Sequence, residues 1–261
     1  VLRTTLKRTR GRLAAGTLLA ATLGATTMTM PAAASETAPA YLVVIGKGWD
    51  REKMGAYARS LPPVYAAANG RYLAIGGPGR GVEWVAAPAH FRDRSLVLAR
   101  FDSPAAVQAF WWGEGYRDAM KNRYAAGAFT VVTLAGTADD AAAKAGPEAG
   151  FLYEAHVVAD EAAYAEYARA RAAALAAYGG RLLVDVEPGN FVALEGDPVY
   201  DRVALVHFPT RAQRDAFLAA PAAAELAKLR DRAGLAFVAR ADGAQAPAAS
   251  VTNPGAAAPS R

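Results

Sequence analysis

The chain repeats itself at a fixed offset. Tyr57-Ala58-Arg59 is followed eleven residues later by Gly70-Arg71, and 110 positions on, Tyr167-Ala168-Arg169 is followed by Gly180-Arg181 at the same spacing. A match of this kind marks a duplicated structural unit. Whatever fold one copy adopts, the other adopts too, and 261 residues leave room for two small units and little else.

Hydrophobic periodicity gives the order of elements within each copy. In the first, Tyr41 to Ile45 reads as a buried strand, and Met54, Tyr57, Leu61 and Tyr65 recur at helical spacing after Asp50. Pro62-Pro63 predicts a kink or a fresh helical start, and Asn69-Gly70 ends the helix. Strands are predicted at Tyr72–Ile75, Val82–Val85 and Ser95–Phe101. Ser103-Pro104 opens a second helical region, broken at Gly113 and Gly115, and Phe129–Leu134 is the last strand. Residues 137–149, rich in Ala and Asp, read as a linker. The order then restarts with Phe151–Val158, a helix over Asp160–Tyr178, strands at Arg181–Val186, Phe191–Leu194 and Asp201–Phe208, a helical region broken at Pro221, and a strand at Leu235–Arg240. Residues 244–261 lack an apolar pattern and read as a disordered tail.

Each copy is thus a β-α-β-β-α-β, or ferredoxin-like, unit. Its helices cover one sheet face and leave the other bare, and a bare apolar face has to be buried. The fold class expected is α+β, with units 41–136 and 151–243 packed sheet to sheet as an intramolecular dimeric α/β-barrel.

These residues resemble the family called domain of unknown function 1330. In the second copy the resemblance rests on Tyr164-Ala165-Glu166-Tyr167, Tyr178-Gly179-Gly180-Arg181, Leu194-Glu195-Gly196-Asp197 and Phe208-Pro209-Thr210. The first copy keeps Tyr57, Gly70-Arg71, and Phe101-Asp102-Ser103 ahead of Phe110-Trp111-Trp112 and Tyr116. It departs where Leu-Glu-Gly-Asp should stand, reading Val85-Ala86-Ala87-Pro88. The resemblance implies the dimeric α/β-barrel fold and no established activity. Barrels of that kind include cofactor-free monooxygenases, isomerases and haem proteins, so fold alone selects none.

Charge and cysteine usage narrow the classes. Residues 1–34 carry five basic side chains and no acidic one, and removing them from the total of 29 basic and 24 acidic residues leaves 24 of each. The basicity belongs to this leader, and nothing suggests the clustered basic face that nucleic-acid binding requires. The leader has the pattern of a secretory signal peptide: a basic start, an apolar run from Leu13 to about Ala25, and Ala32-Ala33-Ala34 as a cleavage site. It predicts export to the periplasm or beyond, with no membrane anchor after cleavage. With no cysteine in the sequence, thiol catalysis, zinc–thiolate sites and iron–sulfur clusters are excluded.

The function expected is binding of a small organic molecule in a cleft between sheet and helices. A cofactor-free oxygenase or isomerase and a non-catalytic interaction module are the alternatives. Gly76–Gly81 is glycine-rich but precedes a strand, so it reads as a tight connection rather than a phosphate loop. Trp111 is expected in the core, and Trp112, about 100° round the helix, facing ligand or interface. Lys121 and Arg123 recur as Lys228 and Arg230 and read as a solvated helix face, with anion contact by the arginines as the lesser reading. Strand positions holding polar groups supply the ligand-lining candidates Arg100, Trp112, Glu154, His156 and His207, a histidine serving as proton shuttle if there is chemistry. Glu154 and His156, two apart, share a face. No catalytic residue is assigned, neither cofactor nor metal is expected, and the mature chain is expected to be a monomer with its pseudo-dimer built in.

Overall fold

The computed structural model describes residues 38–137, 141–187 and 191–245. The leader and most of the C-terminal tail lie outside the described residues.

The first half runs β1 (Ala40–Gly48), α1 (Arg51–Ala67), β2 (Arg71–Pro78), β3 (Gly81–Ala86), β4 (Ser95–Phe101), α2 (Pro104–Trp112), α3 (Glu114–Lys121) and β5 (Gly127–Ala135). The second half repeats it as β6 (Gly150–Val158), α4 (Glu161–Ala177), β7 (Arg181–Val186), β8 (Phe191–Glu195), β9 (Arg202–Phe208), α5 (Arg211–Ala219), α6 (Pro221–Ala233) and β10 (Gly234–Asp242). The helix starts are set by matching caps. Asp50 and Asp160 accept from the amides of Lys53 and Ala163 at 3.0 and 2.9 Å. Ser103 and Thr210 do the same for Ala106 and Gln213 at 3.1 and 3.2 Å.

The fresh helical start expected at Pro62-Pro63 is absent. α1 continues through Pro62-Pro63 as a single helix. Both prolines are exposed, and the carbonyls they deprive of partners belong to Ala58 and Arg59, also exposed, so the lost bonds fall where water replaces them.

All strands join one sheet in the order β7-β9-β6-β10-β3-β2-β4-β1-β5-β8. The ferredoxin-like cores are β2-β4-β1-β5 and β7-β9-β6-β10. The short strands β3 and β8 leave their own halves: β3 pairs antiparallel with β10, Trp84 opposite Ala239, and β8 with β5, Ala193 opposite Val132. Each half therefore covers the other's sheet edge, which would otherwise expose unpaired backbone. The ring nearly closes through Thr137, whose amide donates to Leu183 of β7 at 2.8 Å; at the other seam, already joined by β3, Ala244 donates to Leu73 of β2 at 2.8 Å.

The barrel interior is one apolar core drawn from both halves, including Ile45, Leu96, Leu98, Phe151, Tyr153, Leu205 and Phe237. On the outer faces, Leu42, Leu61, Tyr65, Phe101, Phe110 and Trp111 form the core under the first half's helices, and Leu152, Tyr167, Leu175, Val206, Phe208 and Phe217 that under the second's. The linker packs too: Ala142 and Ala149 are buried against the barrel, and Arg71 donates to the carbonyls of Ala142 and Ala145.

Candidate functional site: an open cleft and its filled counterpart

Between α1 and the outer face of the first half's sheet lies a cleft of about 510 Å³, inside the roughly 300–1,000 Å³ range of small-molecule sites. Val44 and Val97 form its floor, Leu61 and Tyr65 its helix wall, and Tyr57, Tyr72 and Phe129 its aromatic sides. Helical spacing puts Tyr57, Leu61 and Tyr65 on one stripe of α1. Tyr65 is fixed by stacking on Tyr72 and Phe110, at centroid distances of 4.4 and 4.6 Å. Gly46 leaves room for Phe129, since a Cβ there would stand 2.2 Å from its ring.

The polar side chains of the cleft are hydroxyls and guanidinium groups. Burial raises the pKa of Tyr57, Tyr65 and Tyr72 above the usual phenol value, so all three keep their protons at neutral pH. The hydroxyls of Tyr57 and Tyr116 lie 2.9 Å apart. Ser95 Oγ donates to the Gly46 carbonyl at 2.9 Å. Arg80 and Arg123 are the charged lining residues, and the lining holds neither carboxylate nor imidazole.

Arg123 shows why the two halves depend on each other. It is buried, with its guanidinium 4.9 Å over the Phe129 ring and 5.3 Å over that of Tyr57. It forks onto both carboxylate oxygens of Glu195, Nη1 to Oε1 at 2.8 Å. Burial disfavours the cation, but Glu195 outweighs it and raises the arginine's pKa. Glu195 sits on β8, the strand lent by the second half, and belongs to Leu194-Glu195-Gly196-Asp197. The motif of one half thus completes the site of the other. The expectation of a solvated face fails for Arg123, whose helix end packs inward. It describes Lys121 and Lys228, which pair with Asp118 and Glu225 in exposed positions.

The equivalent space in the second half is filled with charge. At matching positions Glu154 stands for Val44, Arg171 for Leu61, Asp185 for Ile75 and Arg202 for Ser95. Arg171, 1% exposed, donates to Glu154 at 2.8 Å and to Asp185 at 2.9 Å, and Tyr167 donates to Glu154 at 2.9 Å. Burial opposes ionisation of Glu154, but Arg171 and His156 prevail and hold its pKa at about 2. His156 occupies the place of Gly46, and Ala236, opposite it, that of Phe129, so bulk has moved from one strand to its neighbour. His156 stacks against Tyr164 and Tyr167 at 5.2 and 5.5 Å.

The five ligand-lining candidates do not converge. Glu154 and His156 face the helices, on the side of Leu152, and form the filled cluster. His207 lies on the opposite face, the barrel side, with Val203 and Leu205; its ring is 5.4 Å from Phe151, and burial and then Arg71 lower its pKa. Arg100 alternates with Ala99 and Phe101 of the helix-side core, which puts it on the barrel side too; it pairs with Asp102 at 2.8 Å. Trp112 is 60% exposed, donates to Gln108 and lies off the cleft, whereas Trp111 is buried in the core. The physical reason is strand parity. His156 and His207 come from neighbouring strands whose register pairs His207 with Phe151, an odd number of residues from His156. Sequence reasoning assigned no site role to Tyr72, Arg80 or Glu195, and gave Arg123 anion contact only as the lesser reading, which its pairing with Glu195 matches. The available signal was the motif present in one copy and absent from the other.

Two ferredoxin-like halves exchanging short strands around a shared interior define a fused dimeric α/β-barrel. The chain belongs to the DUF1330 family (domain of unknown function), whose model matches residues 39–137 and 150–242. Among solved structures it is similar to a proposed monooxygenase from Lactobacillus acidophilus NCFM, with 12% identity and TM-score 0.43 over 79% of this chain and 94% of that one. It is also similar to an anthrone oxidase-like protein, with 12% identity and TM-score 0.46 over 81% and 93%. A protein of unknown function from Rhodopseudomonas palustris matches at 18% identity and TM-score 0.31, over 38% of this chain and 85% of its own. None of these likenesses carries an activity across. No curated protein matches the chain. No helix among the described residues is long and apolar enough to cross a membrane.

Proposed function

We propose that the protein binds one small organic molecule per chain, in the α1 cleft of its first half. The observation that carries this is the contrast between the halves. The same fold keeps a tyrosine-lined space of about 510 Å³ in one copy and occupies it with Glu154 and Arg171 in the other. An open, half-buried apolar surface is costly to leave exposed to water, at roughly 25 cal/mol per Å², and covering it with a ligand recovers that term. The lining offers hydrogen-bond donors and no base that works at neutral pH, which favours binding over acid–base turnover by the cleft's own side chains. The leader supports export as the setting for this role.

Native mass spectrometry of protein purified from its own host tests the reading. A retained small molecule is expected in the unaltered protein and not in Ala58→Trp, which places an indole at the cleft mouth. Unliganded spectra in repeated preparations, or a ligand retained equally by both proteins, would refute it.

A further inference from the structure

The glycine-rich connection Gly76–Gly81 finds a role in the cleft. β2 and β3 touch in parallel at Gly77 and Gly81, so the chain doubles back within a few residues. Gly79 and Gly81 make this possible at φ of +73° and +75°, the left-handed region that favours glycine. The loop presses the Arg80 carbonyl onto Gly76, where a Cβ would stand 2.0 Å from it. It also lays the Arg80 side chain back over the sheet. A Cβ on Gly77 would lie 3.6 Å from Arg80 Nη2 and 3.7 Å from Ser95 Cβ. Gly77, Ile75, Ser95 and Val97 share the cleft face of β2 and β4 by register. The guanidinium is therefore set at the end of the apolar cleft, beside Ser95.

Among the described residues no carboxylate pairs with Arg80. The acids nearest in sequence are engaged elsewhere, Glu83 by Arg240 and Asp93 by Lys47. Arg123, the other cation of the cleft, is neutralised by Glu195. In the second half Glu187 and Arg202, at the places of Gly77 and Ser95, pair with each other at 3.5 Å, so the filled half supplies its own anion where the open half has none.

Building on the cleft reading, we infer that the ligand is an aromatic or flat apolar carboxylate whose acid group is received by Arg80. Its ring lies between Tyr57, Tyr72 and Phe129, and its carboxylate takes the planar fork of the guanidinium, which matches two oxygens at once. Arg80 donates only, and an acceptor-only head group fits it. The cation sits at an exposed edge, so the attraction is open to screening by salt.

Isothermal titration calorimetry with benzoate, 2-naphthoate and 4-biphenylcarboxylate, each beside its neutral amide, decides the matter. The acid that fits best is expected to bind about tenfold or more tightly than its amide, as a charge-assisted contact implies. Arg80→Gln is expected to remove that preference while leaving amide binding in place, Arg80→Lys to keep part of it, and added salt to weaken only the acid. Equal binding of acid and amide to the unaltered protein, both lost in Ala58→Trp, would overturn the carboxylate assignment and leave the cleft reading standing. An acid preference that persists in Arg80→Gln would overturn it as well. No binding by any acid–amide pair would overturn both.

Discussion

Replacing Arg171 by leucine and Glu154 by valine, the residues the first half carries at these places, separates what the buried pair contributes from what its burial costs. Arg171→Leu alone strands the carboxylate of Glu154, 4% exposed, with only the Tyr167 hydroxyl donating to it and His156 Nε2 at 3.7 Å. Stranding one partner of a buried ion pair costs about 3–5 kcal/mol. The Glu154 carboxyl points the same way: burial opposes its charge, but Arg171 and His156 hold its pKa below the ordinary carboxylate value, at about 2. The sign follows from the depressed pKa. This stability is present above the unfolded value near 4.5 and is lost as pH falls toward 2. Glu154→Val alone should cost less, because Arg171 keeps Asp185, whose side chain is 42% exposed. The double variant should lie within about 1–2 kcal/mol of the parent, since both buried charges leave together, the Tyr167 hydroxyl loses its acceptor, and Asp185, which loses Arg171, is half-exposed to water. Urea unfolding followed by circular dichroism measures all three, and the double-mutant cycle gives the coupling. A loss below about 1 kcal/mol for Arg171→Leu, or a double variant as unstable as the two singles added, would refute the assignment of a mutually dependent buried pair.

Glu195→Gln should leave Arg123 buried without a counter-charge and lower stability by about 2–4 kcal/mol, with a matching loss of affinity in the first-half cleft, read by unfolding and calorimetry. Glu154→Val with Arg171→Leu should also open the second-half cleft, so ligand stoichiometry by native mass spectrometry should rise from one toward two; a count fixed at one would sink the equivalence of the two spaces. The isolated segment 151–243 should self-associate in analytical ultracentrifugation, because Phe151, Tyr153 and Phe237 lose the interior they share with the first half; a folded monomer would contradict this. Mass spectrometry of mature protein from the host should find Ser35 at or near the N-terminus, and an intact leader on membrane-extracted protein would reverse the proposed export.

The repeat, its element order and its helix caps were legible in the sequence because they are local. Period 3.6 in α1 and α4, short apolar runs in the strands, and Asp50, Ser103, Asp160 and Thr210 at helix starts each act within a few residues of themselves. The bare sheet face that each half leaves is a further consequence of the same pattern, and it called for the partner that the chain supplies. The tertiary structure decided what lies beyond that range. Strand parity between β6 and β9 sent His156 and His207 to opposite faces, because a register set by pairing, not by composition, fixes which side each residue takes. The exchange of β3 and β8 carried Glu195 to Arg123, 72 positions away, a contact no local rule contains. The difference between an open cleft and a filled one arose where Val44, Leu61, Gly46 and Phe129 on separate elements meet, against Glu154, Arg171, His156 and Ala236 in the other copy. Each substitution was visible in the repeat alignment, but only their meeting in space turns four separate changes into one occupied volume.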